Sequence, residues 1–133
     1  MSSPIQPGLT ERLSLRLRCG QAAASNARGA LSRLRGDIDE PLMETLRLLV
    51  TELVTNSVRH ADADAVSLRI LVTGTSIWTE VSDEGPGFDP RLTGVPQRDR
   101  SGWGLFLVER LAHRWGVIQD GDTTRVWFEL LRD

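Results

Sequence analysis

The sequence predicts an α+β fold, a two-layer α/β sandwich with helices on one face of a mixed, largely antiparallel sheet. Three observations predict it. Residues 11–19 alternate Arg or Ser with Leu or Cys, the two-residue period of a half-buried strand. Leu42, Leu46, Leu49 and Leu53 recur at i, i+4, i+7 and i+11, the stripe of an amphipathic helix. Two β-branched runs, 65–72 and 77–81, flank Thr73-Gly74-Thr75-Ser76 and read as a hairpin.

Residues 1–10 hold Pro4, Pro7 and Gly8 with little apolar content and are expected to form a flexible N-terminus, leaving 11–133 as a single domain. The first strand would carry Arg12, Ser14, Arg16 and Arg18 on one wet face, which suits plain solvation or a surface for a partner or nucleic acid. From Gln21 to Arg35 alanines with Leu31 and Leu34 read as a short helix, stopped by Gly36. Asp37 to Pro41 leads into the long helix, which runs from Pro41 to His60. The second hairpin strand passes directly into Asp83-Glu84-Gly85-Pro86-Gly87.

Residues 88–101 hold two prolines, a glycine and charges without a period, and are expected to be a lid-like loop. Gly102-Trp103-Gly104 then opens a helix through about Arg114, striped by Leu105, Val108, Leu111 and Ala112. Val117-Ile118 and Thr124 to Leu131 close the chain as strands around Asp120-Gly121-Asp122. Trp78, Trp115 and Trp127 are expected at the core or its rim. The order is β-α-α-β-β-loop-α-β-β.

Composition narrows the function. With 133 residues, 40% apolar, the chain suffices for one core and excludes a multidomain enzyme. Aliphatic runs such as Leu48-Leu49-Val50 are far short of the roughly 20 residues that cross a bilayer, and MSSPIQPG has no leader pattern, so a soluble, cytoplasmic protein without a membrane partner is expected. One cysteine, Cys19, excludes an internal disulfide, and with two separated histidines it excludes a structural zinc site. All 16 basic residues are arginine, which removes every mechanism that needs a lysine, the phosphate-loop ATPases included. The net charge of -2 argues against direct nucleic-acid binding, although residues 1–36 hold six arginines against Glu11 alone.

Three islands can carry chemistry. In LVTELVTNSVRHA, residues 49–61, Glu52 and Asn56 lie one helical turn apart, within about 40° of one another, with Arg59 beside them. Such a carboxylate can take a proton from a nucleophile and such a carboxamide can offer oxygen to Mg²⁺, although a surface pair has the same spacing. In VSDEGPGFDP, residues 81–90, Asp83 can accept a hydrogen bond from an exocyclic amine while Gly85 and Gly87 let the backbone approach a ring; a plain turn uses the same residues. In SGWGL, residues 101–105, glycines open a helix whose N–H groups can meet an anion, with Arg98 and Arg100 just before it.

In order and spacing these islands resemble the N box (E-x-x-x-N), the G1 box (D-x-G-x-G) and the G2 box (G-x-G-L) of the GHKL, or Bergerat-fold, ATPases. The resemblance covers roughly residues 11–131 and runs most closely to the anti-sigma-factor serine/threonine kinases. It implies Glu52 as catalytic base and Asn56 as Mg²⁺ ligand. It also implies that Asp83 binds the adenine amino group with Gly85 and Gly87 beside the ring, that Gly102, Gly104 and Leu105 form the phosphate cradle, and that Arg59 stands near the phosphates. Thr124, in Thr124-Arg125-Val126, would support Asp83. Trp103 departs from the pattern, which has a smaller or more polar residue between those glycines, and implies a differently packed lid.

The implied function is an ATP-binding anti-sigma factor that transfers the γ-phosphoryl of ATP, with Mg²⁺, to a serine of an anti-anti-sigma (STAS-domain) protein and so controls a sigma factor. Homodimerisation is common in the family. A catalytically silent ATP-binding module that sequesters a partner is the alternative, and the presence of Glu52 favours the enzyme. The absence of dimerisation helices and of a longer insert points away from sensor histidine kinases. Arginine without lysine suits a GC-rich genome such as an actinobacterial one. His60 and His113 are read as helix-end residues that interact with terminal carbonyls.

Overall fold

The computed structural model describes residues 10–60, 64–84, 103–120 and 123–132. These form β1 (Thr10–Arg18), α1 (Ala23–Leu31), α2 (Glu40–His60), β2 (Ala65–Val72), β3 (Ser76–Glu84), α3 (Trp103–Leu111), β4 (Arg114–Asp120) and β5 (Thr123–Leu131), with a 3₁₀ turn at Ser32–Leu34. The strands make one sheet in the order β1-β2-β3-β5-β4, and every pairing is antiparallel. The α+β sandwich read from the sequence is the observed one. No helix among the described residues is long and apolar enough to cross a membrane.

Strand alternation decides which residues meet the helices. Leu13 and Leu17 of β1, Leu68 and Ile70 of β2, Ile77 and Val81 of β3, and Val126 and Phe128 of β5 point to one side. There they join Leu31, Leu46, Leu49 and Leu53 in the main core. The alternate residues of β1 are exposed, as its period predicts. Within the helical layer α2 lies between α1 and α3, with α1 also over β1.

Two boundaries differ from the sequence reading. The first helix ends at Leu31 and tightens into the 3₁₀ turn before Gly36, whose φ of 97° only glycine adopts freely. The last helix ends at Leu111 rather than Arg114. The His113 N–H donates to the Glu129 carbonyl at 2.8 Å, and Arg114 is already paired with Glu129 in the sheet. Strand pairing there overrides the apolar stripe that suggested a longer helix.

One end of the sheet is fastened to the start of α2. Asp39 caps the helix, its Oδ1 accepting from the Leu42 N–H at 3.0 Å. Just before it, Asp37 pairs with Arg12 of β1. The Arg132 guanidinium donates to both the Asp37 and Thr73 carbonyls, each at 2.5 Å. In the hairpin turn the Thr73 hydroxyl accepts from the Thr75 and Ser76 N–H groups at 3.1 and 2.9 Å, so its side chain fixes the turn.

The face of the sheet away from the helices has its own small core. Trp78 and Trp127 stack with centroids 4.3 Å apart and planes 9° from parallel, flanked by Leu71 and Ile118. Glu80 and Glu129 are buried on this face, Glu80 against Arg69 at 3.1 Å and Glu129 against Arg114 at 2.7 Å. Gly116 makes room for the stack, since a Cβ there would stand 2.8 Å from Trp127 Nε1. Gly116→Ala is expected to lower stability by about 1–3 kcal/mol and to disturb tryptophan emission, because a stacked indole cannot swing aside. Urea unfolding followed by fluorescence checks this, and an unchanged midpoint would show that the outer face is loosely packed.

Candidate functional site

The opposite end of the sheet holds the candidate site. From the fastened end, sixteen helical rises take α2 about 24 Å from Glu40 to Asn56. Seven strand steps take β3 roughly the same distance, about 24 Å, from Ser76 to Asp83. Because α2 packs over β3, the first two islands come to the same end of the molecule.

Asp83 shares the inward parity of Ile77 and Val81 and is only 5% exposed. Its register partner on β5 is Thr124, 1% exposed, on the inward side with Val126 and Phe128. Asp83 Oδ1 and Thr124 Oγ1 are both buried without a hydrogen-bond partner. Asn56, 4% exposed on α2, has its Nδ2 in the same condition. Trp78 Nε1, Thr79 Oγ1 and Glu80 Oε1 are likewise buried and unpaired, so what sets Asp83, Thr124 and Asn56 apart is that the helix and the two strands bring them to one end of the molecule.

Electrostatics separate Asp83 from Glu129, a buried acid of the outer face. Burial pushes its carboxyl above the ordinary aspartate value. For Glu129 burial acts in the same sense, but the hydrogen bonds from Arg114 and Ser76 outweigh it and hold its carboxyl below the ordinary range. Asp83 has no ion pair among the described residues. The Cys19 thiol, just past β1, is pushed up by burial and then by the charges of Asp83 and Asp64, so Asp83 also acts on the end of β1.

The other candidate residues are placed as follows. Glu52 is half-buried one turn before Asn56, and Arg59 is exposed near the end of α2. Gly104 falls in the first turn of α3, and Leu105 is built into the main core, where it anchors that turn. Gly85, Gly87 and Gly102, with residues 88–101 and therefore Arg98 and Arg100, lie outside the described residues, as do the side chains of His60 and Trp103. Among the described residues no three His, Cys, Asp or Glu side chains gather as a metal cluster. The sequence reading missed Cys19 as a neighbour of Asp83. The signal is that a β1 residue and Asp83 meet through β2, where Leu17 pairs with Val66 and Val66 with Asp83.

The raised carboxyl has a consequence for stability. A folded-state value above the unfolded one means that the folded chain binds the proton more tightly, so stability falls as pH rises through the interval between the two and the penalty is complete above it. Asp83→Asn is therefore expected to raise the melting temperature of the ligand-free protein at pH above neutrality, where the wild type carries the buried charge. The gain should shrink as pH falls towards the carboxylate range. A thermal-unfolding series against pH checks it, and a variant less stable at every pH would contradict the assignment.

A family profile described as a histidine kinase-like ATPase domain matches residues 17–130. A curated relative, the sensor histidine kinase NarS of Mycobacterium tuberculosis, is 31% identical over 104 residues, which is 75% of this chain and 24% of that protein. The chain thus spans about a quarter of that relative, which belongs to the branch that the sequence reading set aside. Among solved structures, the RsbU and RsbW domains of Rv1364c from Mycobacterium tuberculosis superpose with a TM-score of 0.68 at 20% identity, covering 91% of this chain and 33% of that one. The histidine kinase domain of the blue-light activated kinase EL346 from Erythrobacter litoralis gives 0.55 at 24%, covering 82% and 59%. At these identities the two structures show the shared fold. With the profile spanning most of the sequence, the chain belongs to the histidine kinase-like ATPase domain family.

Proposed function

We propose that this domain binds ATP with Mg²⁺ and acts as an anti-sigma factor with serine protein kinase activity, phosphorylating a serine of an anti-anti-sigma (STAS-domain) partner. The observation that carries the nucleotide part is the unsatisfied pair Asp83 Oδ1 and Thr124 Oγ1, an acceptor and a hydroxyl buried side by side on the inward sheet face. An adenine amino group supplies the missing donor, and a purine ring is flat enough to lie between a sheet and a helix. The kinase and anti-sigma parts draw on the resemblance of the sequence motifs and on the RsbW-containing structural neighbour.

The residues present fit the implied cation. Asn56 has no partner at its Nδ2, so a half-turn of the side chain can present either end of the amide. Mg²⁺ is commonly held by one or two protein oxygens, with phosphates and water completing the octahedron, and a single carboxamide suits that role. When bound, ATP and Mg²⁺ supply the transferable phosphoryl group and the neutralising charge.

The remaining work falls to the chain. Asp83, braced by Thr124, orients the base by accepting its amino hydrogen. Arg59 holds negative charge at the end of α2, and the start of α3, with Gly102 and Gly104, offers N–H groups to the phosphates. Glu52, partly open to solvent, accepts the proton of an incoming serine hydroxyl. Its position one turn from Asn56 puts proton acceptance and cation binding on one helix face, which favours the enzyme over a silent binding module.

Thermal unfolding and a phosphorylation assay together test this. ATP with Mg²⁺ at 100 times its Kd should stabilise the wild type by about 2.7 kcal/mol. Asp83→Asn should lose that stabilisation and Asn56→Ala should lose its Mg²⁺ dependence. Glu52→Ala should keep nucleotide binding while losing phosphoryl transfer by about a hundredfold or more. Transfer by Glu52→Ala at the wild-type rate would remove the base assignment, and no shift in the wild type at millimolar ATP would remove the nucleotide site.

A further inference from the structure

The outer face of the sheet is unevenly buried. Near the candidate site its residues stay half-exposed: Ser67 on β2, Ser82 on β3 and Arg125 on β5. Towards the fastened end the same three strands carry Leu71, Trp78, Glu80, Trp127 and Glu129, all buried, with Trp78 at 1% and Glu80 at 2%. Yet the described helices pack on the other face, and the cluster of Leu71, Trp78 and Trp127 takes no residue from any of them. Two polar atoms of this buried half also lack a hydrogen-bond partner, the Trp78 Nε1 donor and the Glu80 Oε1 acceptor.

Register identifies the chain that stands nearest. Glu11, Leu71, Trp78, Glu129 and Arg114 form one row across the five strands, so β1 enters the sheet at the buried half. Residues 1–9 precede it there. From β1 to β5 is three strand spacings, about 14 Å, whereas that segment in polyproline conformation spans about 28 Å. We propose that residues 1–9 dock across the buried half of the outer face, over Trp78 and Trp127, as an extended, proline-bearing strap.

The composition of the segment fits the place. MSSPIQPGL holds no charged side chain, and the acids of this face are already paired, Glu80 with Arg69 and Glu129 with Arg114. Pro4 and Pro7 favour the polyproline conformation, which leaves carbonyls free and which aromatic-lined surfaces accept. A carbonyl of the strap gives Trp78 Nε1 its acceptor, and the N–H of Ile5 or Gln6, a group that the prolines lack, gives Glu80 Oε1 its donor. Tethering favours this occupant over a separate protein, since a short linker holds it at an effective concentration of about millimolar. The segment is then part of the domain, where its composition alone suggests a flexible lead. Its docking does not depend on the nucleotide site, which lies on the inward face at the other end of the sheet.

Nuclear magnetic resonance of the full chain tests this. In the wild type the Trp78 indole N–H should exchange slowly with solvent, and ring protons of Trp78 or Trp127 should show Overhauser contacts to Pro4, Ile5 or Pro7. Ile5→Asp, which brings a charge over the indoles, should speed exchange of the Trp78 indole N–H by about tenfold or more. Pro4→Ser with Pro7→Ser, which adds no charge, should move it in the same direction, while the amide shifts of α2 stay those of the wild type. Fast exchange in the wild type, absence of those contacts, or wild-type exchange in Ile5→Asp would overturn the proposal. So would protection that fades on dilution as a dimer dissociates, which would give this face to a second copy.

Discussion

Asp83 is held on the inward face of the sheet, where burial disfavours its charge and no cation among the described residues offsets it. The chain keeps it there because register is set elsewhere. Ile77 and Val81 must face the helices, and Val126 and Phe128 must do the same on β5. With a two-residue period, that choice fixes Asp83 and Thr124 inward and opposite one another. A slip of one residue would relieve the carboxylate but would turn every apolar side chain of the strand to the wrong side. The apolar core thus holds an unfavourable charge in place, as expected where a site is prepared for a ligand.

The two ends of the sheet divide the labour. At one end Arg12, Asp37 and Arg132 join β1, the loop before α2 and the hairpin turn, so the start of α2 is fixed relative to β3. Helix and strand then cover about the same distance, so Asn56 and Asp83 come to the same end of the molecule. The outer face adds stiffness through the Trp78–Trp127 stack and the two arginine-paired glutamates. At the site end Asp83, Thr124 and Asn56 each keep a buried polar atom without a partner.

Much of this was legible in the sequence, for local reasons. The stripe from Leu42 to Leu53 gave α2 its buried face, and Asn56 follows at the edge of that stripe. The period of residues 11–19 marked β1 and its basic face. Less legible were features made by pairing between distant segments. The placement of β5 between β3 and β4 brings Thr124 to Asp83, and in the sequence only family resemblance connected them. The early end of α3 follows from the Arg114–Glu129 pairing, which no helical period records. The tryptophans were placed at the core or rim, but their stack on the far face depends on Gly116 in a third strand.

Changing the ligand rather than the protein tests most directly whether Asp83 reads an exocyclic amine. Calorimetric titration of the wild type with ATP and with inosine triphosphate compares two purines that differ in this respect, a donor in one and a carbonyl acceptor in the other. A carboxylate facing an acceptor, with its buried oxygen left unpaired, loses about 3 kcal/mol or more, so inosine triphosphate should bind at least roughly a hundredfold more weakly than ATP. Equal affinities would mean that the unsatisfied oxygen of Asp83 does not face the base, and the proposed site would have to be placed elsewhere.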